Sequence, residues 1–371
     1  MADVTSYRSA LLSLPGATER VAPAGPEATG NTALDALDAQ GVAWHYGDPL
    51  GEQRALERSP RAIDRSQRGV IAVSGPEAGQ FLNNLLSQKL DDAEDGFSAS
   101  ALDLDIQGHV LHHADVVRAG DIFYLDVPAA QQESLLSFLQ KMVFWSQVTI
   151  ELTDLGVVTI LGPSTQEISG LEGVVATRRV PWPAAPRIDL LVPRAQLSDV
   201  FADLKQRGIA PAGLMAFTAE RVRALEPELA IDLDNKSIAH EAHLFIGRGD
   251  HLGAVHLNKG CYRGQETVAR VENLGRSPRL LVLLLLDGSS PQEPSPGEPI
   301  TVGARAVGRI GTVVHDYDLG PIALGLVKRS ALNSAQLHVG ETAVAVDKDR
   351  LPQDEGAKAG RAAVEKLRSQ R

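Results

Sequence analysis

The octet KGCYRGQE, Lys259 to Glu266, holds the only cysteine of the 371-residue chain. A thiol attacks or ligates only as thiolate, and neighbouring cations lower its pKa. Lys259 and Arg263 flank Cys261, and Gly260 and Gly264 permit a tight turn that would hold the sulfur at an exposed bend. The competing reading is a small, buried, inert cysteine, the commoner fate of a lone one. Local chemistry alone favours that second reading. Other groupings carry less. His240 and His243 in HEAH lack the i, i+4 spacing of a zinc-protease helix. His109, His112 and His113 in GHVLHHAD could form a metal pair, but strand alternation would send His112 and His113 to opposite faces. No metal site is expected. Neither G-x-x-x-x-G-K nor G-x-G-x-x-G occurs, and no Ser/His/Asp grouping stands out.

The elements that must position this octet belong to a globular chain. Hydrophobic residues make up 43% and charged residues 22%, enough for two or three domains with ample core. A net charge of -11 argues against a nucleic-acid partner, which needs phosphate-neutralising cations. Aromatics at 4% leave few stacking platforms for single strands. One cysteine forms no internal disulfide and cannot by itself hold an iron–sulfur cluster. The first residues lack a signal-peptide pattern, and the apolar run 280–286 is too short to cross a bilayer. A cytoplasmic protein without a membrane partner is the expectation.

The first 60 residues are rich in Ala, Gly, Pro and Glu, and 1–41 reads as a flexible arm. A faint repeat follows. GVIAVSGP (69–76) and GVVTILGP (156–163) each read as a strand stopped by a Gly-Pro turn, each followed by a helix-like stretch. In the first, Phe81, Leu82, Leu85 and Leu86 form one helical face over 77–86. Strands are expected at 98–105, 110–118 and 122–127, and helices at 130–141, 195–207 and 217–225. The mixture without strict alternation predicts α+β lobes. From Arg279 short apolar strands alternate with Gly/Pro turns, the pattern of a small antiparallel barrel, with 288–299 read as a hairpin loop inside it. The charged tail ends in a helical-looking segment, 360–371.

The extended motif NKGCYRGQETVARVENLGR (258–276) resembles the signature of the YgfZ-type folate-binding proteins, relatives of the glycine-cleavage T-protein, an aminomethyltransferase. RGVIAVSGPEAGQFLNNLLSQKL (68–90) is similar to that family's first strand and helix, and HYGDPLGEQRAL (45–56) to its entry segment. The resemblance spans residues 42–347. It implies a three-domain T-protein-like ring: two interleaved ferredoxin-like pseudo-repeat lobes over 42–275, an antiparallel barrel over 276–349, and a charged tail over 350–371. It also implies tetrahydrofolate as ligand, iron–sulfur enzymes or assembly proteins as partners, and Cys261 as the functional, catalytic thiol. Lys259, Gly260, Tyr262, Gly264, Gln265 and Glu266 complete the implied signature. Folate contacts are implied for Arg221, Arg223, Glu241, His112 and His113.

Two departures bear on activity. His112 and His113 stand where the T-protein has adjacent aspartates, one of them catalytic; Asp115 is nearby. The family's Arg-Ile-Glu stretch reads Arg221-Val222-Arg223, and an arginine cannot accept hydrogen bonds from a pterin amino group. Glu226 or Glu241 could accept instead. The leading expectation is a folate-binding accessory protein for iron–sulfur cluster assembly or repair. The alternatives are a folate-dependent aminomethyl- or methyltransferase, and a scaffold that has lost its ligand.

Overall fold

A computed structural model describes residues 7–20, 37–290 and 292–352. Helix α1 (Pro49–Ala55) and strand β1 (Arg61–Asp64) precede the first lobe. That lobe runs β2 (Gly69–Ser74), α2 (Ala78–Leu85), β3 (Ser98–Leu104), β4 (Val110–Ala119), β5 (Ile122–Val127), α3 (Ala129–Lys141) and β6 (Thr149–Leu152). Its sheet has the order β3-β4-β5-β2-β6. The second lobe runs β7 (Leu155–Leu161), β8 (Ala176–Val180), β9 (Arg187–Pro193), α4 (Leu197–Gln206) and β10 (Ala210–Ala212). Its sheet order, β10-β1-β7-β9-β8, follows that of the first lobe, with β1 inserted beside the repeat's opening strand. The lobes are therefore interleaved in sequence.

The faint sequence repeat has a backbone cause. Gly75 and Gly162 end β2 and β7 at φ +117° and +116°, a conformation open to glycine and strained for other residues. The repeats then diverge. α2 forms in the first, but the helix-like stretch expected after Pro163 is a single 3₁₀ turn, Thr165–Glu167. Gly170 and Gly173 adopt positive φ there, which a continuing helix forbids.

The opening strands of the two lobes, β2 and β7, are buried on both faces because each sheet is covered there on both sides. Ile71 and Val73 of β2 face α2 and α3, while Val70 and Ala72 face the other lobe and meet Val157 and Leu191. In α4, Leu197, Val200, Phe201 and Leu204 recur at helical spacing and cover the outer face of the second sheet.

Helices α5 (Leu214–Arg223), α6 (Leu229–Asp232) and α7 (Gln265–Leu274) lead to the barrel. Its strands are β11 (Arg279–Leu286), β12 (Pro299–Val302), β13 (Arg305–Asp316), β14 (Gly320–Lys328), β15 (Leu337–Val339) and β16 (Thr342–Val346). They close in the order β11-β14-β13-β12-β15-β16. Leu280, Val282 and Leu284 fill the barrel, and Leu281 and Leu283 pack outward on the lobes, which explains the unbroken run RLLVLLLL. The segment 288–299 is not a hairpin loop as expected. It joins β11 to β12, which are not neighbours, so it crosses the end of the barrel.

The described part of the expected arm is packed. Leu11 is buried in the core of the second lobe, Ser9 donates to Asp64, and Tyr7 donates to Ser66 at 2.6 Å. Alanine-rich composition misled there, because a few well-placed side chains suffice to dock a segment. The tail helix expected at 360–371 lies outside the described residues.

Candidate functional site

Strand alternation builds a charged layer between the lobes. His113 and Asp115 on β4, Arg178 on β8 and Asp189 on β9 all face the gap, while Ala114, Val116, Ile188 and Leu190 beside them face the outer cores. Arg178 donates to Asp126 and Asp189, and reaches Asp115 at 3.3 Å. Arg187 grips Asp189 at 2.8 Å and Glu226 at 3.2 Å. Arg68 donates to Asp126 and lies 3.6 Å from Asp115. Buried charges persist only when paired in this way.

Two compartments open into this layer. The larger, about 560 Å³ including its mouth, is walled by Val180, Trp182, Leu244, Phe245 and Leu252. The smaller, about 310 Å³, is lined by Arg65, Arg68, Arg221 and Glu228. His113, Asp115 and Glu226 border both.

Each of these three side chains has an identifiable setting. The His113 ring lies 4.9 Å from Phe245, and burial pushes its pKa down, toward neutral imidazole. Burial alone would raise Asp115. Arg178 foremost, then His113, Arg187 and Arg68, outweigh burial and hold this carboxyl well below its usual range. Glu226 follows Leu225, whose φ of 61° is costly for a leucine. That left-handed turn ends α5 and swings Glu226 to the cavity. Trp182 stacks on Phe217 at 5.5 Å, and its buried indole N–H has no acceptor among the described residues.

The octet is built differently. Lys259 does not face the thiol. Its ammonium donates to the carbonyls of Asn83, Leu86 and Gln88 at 2.5, 2.6 and 3.0 Å, capping the C-terminal end of α2. Burial lowers its pKa to about 8. Arg263 pairs with buried Asp103 and stacks over Phe138 at 4.6 Å. Both cations expected to activate Cys261 are thus committed elsewhere. Cys261 itself is exposed, and it lines neither compartment. Tyr262 is buried in the core that also holds Phe245 of the cavity wall. Gly264 has φ +80°, and a Cβ there would sit 2.6 Å from the Asp105 carbonyl oxygen. Gly260 has open space around it, so the expected glycine requirement applies to Gly264 alone. Gln265 bonds back to the Gly260 carbonyl at 3.4 Å, and exposed Glu266 pairs with Arg270 one turn along α7.

The remaining expected contacts separate. Arg221 borders the smaller compartment but spends its guanidinium on Asp232, Thr312 and the Glu226 carbonyl. Arg223 points to the barrel and pairs with Asp316. Glu241 is held by Arg279 at 2.8 Å. His112, on the opposite face of β4 from His113, bridges Asp103 and Ser134 at 2.8 Å each. None of Arg223, Glu241 and His112 lines either compartment.

The Ser134–His112–Asp103 chain was not legible, because its members lie on three elements. It joins α3 to the sheet. Ser134 sits within α3, where backbone N–H groups are consumed by the helix and none is free to stabilise an oxyanion. Sequence reasoning also missed Arg178, Arg187, Trp182 and Phe245. The i, i+2 spacing of His113 and Asp115 was the available signal for the inter-lobe layer.

Comparison with known proteins places this geometry. Residues 279–352 match the family model "CAF17, C-terminal beta-barrel domain". The tRNA-modifying protein YgfZ of Colwellia psychrerythraea is 23% identical over 60% of this chain and 70% of its own. The mouse iron–sulfur cluster assembly factor IBA57, a mitochondrial protein, is 28% identical over 73% of this chain and 78% of its own. The crystal structure of the glycine cleavage system aminomethyltransferase T from Bartonella henselae superposes with a TM-score of 0.71 at 16% identity, covering 91% of this chain and 94% of that one. The resemblance read from the octet is borne out: the barrel is of the CAF17 type and the α+β fold is that of a T-protein. No described helix is long and apolar enough to cross a membrane. A mitochondrial relative leaves the cytoplasmic expectation without support.

Proposed function

We propose that this chain is a reduced-folate-binding accessory factor in iron–sulfur cluster assembly or repair, with tetrahydrofolate held in the larger inter-lobe compartment. The observation that carries the ligand is the pairing of apolar walls with carboxylate acceptors in that cavity. Phe245, Leu244 and Trp182 offer apolar walls for a flat heteroaromatic ring. Glu226 and Asp115 are acceptors for ring N–H and amino groups. These residues fit a pterin. The iron–sulfur role rests on the IBA57 and YgfZ relatives together with the exposed thiol.

Aminomethyl transfer is disfavoured by the same geometry. A general base needs a pKa near the working pH, and Asp115 is pushed the other way by Arg178. His112 is tied to Asp103 and Ser134.

Titration with tetrahydrofolate tests the ligand. At a hundredfold over its dissociation constant it should add about 2.7 kcal/mol to unfolding, and Glu226→Gln should weaken that gain. An unchanged melting curve at saturation refutes the ligand. Aminomethyl-carrier turnover at a genuine T-protein's rate would refute the accessory role. For the thiol, Cys261→Ser should melt within about 0.5 kcal/mol of the parent yet fail to rescue iron–sulfur enzyme activity in cells lacking the gene. Full rescue makes Cys261 a bystander.

A further inference from the structure

Beside the end of α1 and the start of β1, Arg54, Arg58 and Arg61 line an open depression of about 510 Å³, together with Ser59. Arg54 lies in the last turn of α1, Arg58 follows three residues after the helix ends, and Arg61 opens β1. Among the described residues no hydrogen bond or ion pair reaches any of these three guanidinium groups; Arg54 only overlooks the Tyr317 ring at 6.0 Å. Elsewhere in this acidic chain arginines such as Arg178, Arg187, Arg221, Arg263 and Arg279 are paired. The nearby acids are occupied: Glu57 accepts from Tyr317, and Glu52 accepts from the backbone of Tyr46 and Gly213. Arg54 and Arg58 repel across one turn. The negative end of the α1 dipole explains Arg54 in its last turn, but not Arg61 on a strand.

We propose that this depression is an oxyanion-binding site, taking a phosphoryl or carboxylate-rich group of a small-molecule ligand. Three guanidinium groups without a protein acid lining one depression match such groups. The site is independent of the inter-lobe cavity: β1 separates Arg61 from Arg65, which lines the smaller compartment.

The test is calorimetry on the full chain at physiological salt, with pyrophosphate and with tri-glutamate as probes. At least one probe should bind saturably. Arg58→Ala/Arg61→Ala should lower its affinity by more than about tenfold, while tetrahydrofolate titration, run in parallel, stays as in the parent. Arg58→Lys/Arg61→Lys should recover part of the loss, since the charge returns without the fork. If the double alanine variant does not fold, Arg58→Ala alone is read instead, because Arg58 is exposed. Which probe binds more tightly identifies the group. Absence of saturable binding of either probe, or equal binding by the alanine variant, overturns the site whatever the folate result.

Discussion

The octet around Cys261 and the layer between the lobes are opposites in construction. In the octet the residues that look reactive are contiguous, yet most serve the scaffold: Lys259 caps α2, Arg263 holds Asp103, and Gly264 lets α7 start against the 105–108 turn. Around the larger inter-lobe compartment the lining residues come from β3, β4, β8 and the segment that follows α5, spread over more than a hundred positions. The two regions are linked. Lys259 holds the Gln88 carbonyl, and Gln88 donates to the carbonyls of Ser100 and Gly253, both on the wall of the larger compartment. A signature motif can thus mark a site by supporting its wall rather than by lining it.

The sharpest way to break this contrast is to remove a charge from the layer. Arg178→Met leaves Asp126, Asp189 and Asp115 short of their shared partner, and urea unfolding should show a loss of about 3–5 kcal/mol. A loss below ~1 kcal/mol would mean that the layer is not electrostatically closed. Lys259→Met should cost about 1–3 kcal/mol by orphaning carbonyls at the end of α2, while the alkylation rate of Cys261 stays unchanged. A markedly slower alkylation would return Lys259 to the thiol. Within one octet, Gly264→Ala should destabilise by roughly 1–3 kcal/mol through its positive φ and the carbonyl contact, and Gly260→Ala by no more than about 0.5 kcal/mol. Equal losses would contradict the assignment of the turn to Gly264.

The smallest effect is a pH dependence. Burial depresses the pKa of His113 below the ordinary 6.5. As pH falls through 6.5 the unfolded chain takes up this proton first, so stability drops until the folded pKa is passed. Asp38 and Asp115 titrate in acid as well, so the informative quantity is a difference between variants. His113→Gln should show a shallower fall in melting temperature from pH 7 to pH 5 than the parent. Identical slopes would mean that His113 is protonated without penalty in the fold.

Much of the architecture was legible because local rules act within a few residues. GVIAVSGP and GVVTILGP marked equivalent strands through their turn glycines, and RLLVLLLL opened the barrel. The helix after Pro163 was misread because a turn and a short helix share the same polar composition, and 288–299 because hairpins are the default between adjacent strands. Of the candidate site, His113 was named, and Glu226 was weighed as a substitute for Arg223. Arg178, Arg187 and Trp182 carried no local mark, since a buried arginine and an exposed one look alike in sequence.

By itself the sequence determined the opening strand of each lobe, β3 to β5 of the first lobe, the short apolar strands of the barrel, the kinship carried by the octet, and the isolation of Cys261 as the sole thiol. Tertiary structure alone decided which charges meet. Lys259 is two residues from Cys261 but bonds to carbonyls more than 170 positions away, and Arg223 lies three residues from Glu226 but points to the barrel. The reason is geometric. Sequence neighbours on a turn or helix diverge in direction within one or two residues, while long side chains reach whatever the packed lobes bring near.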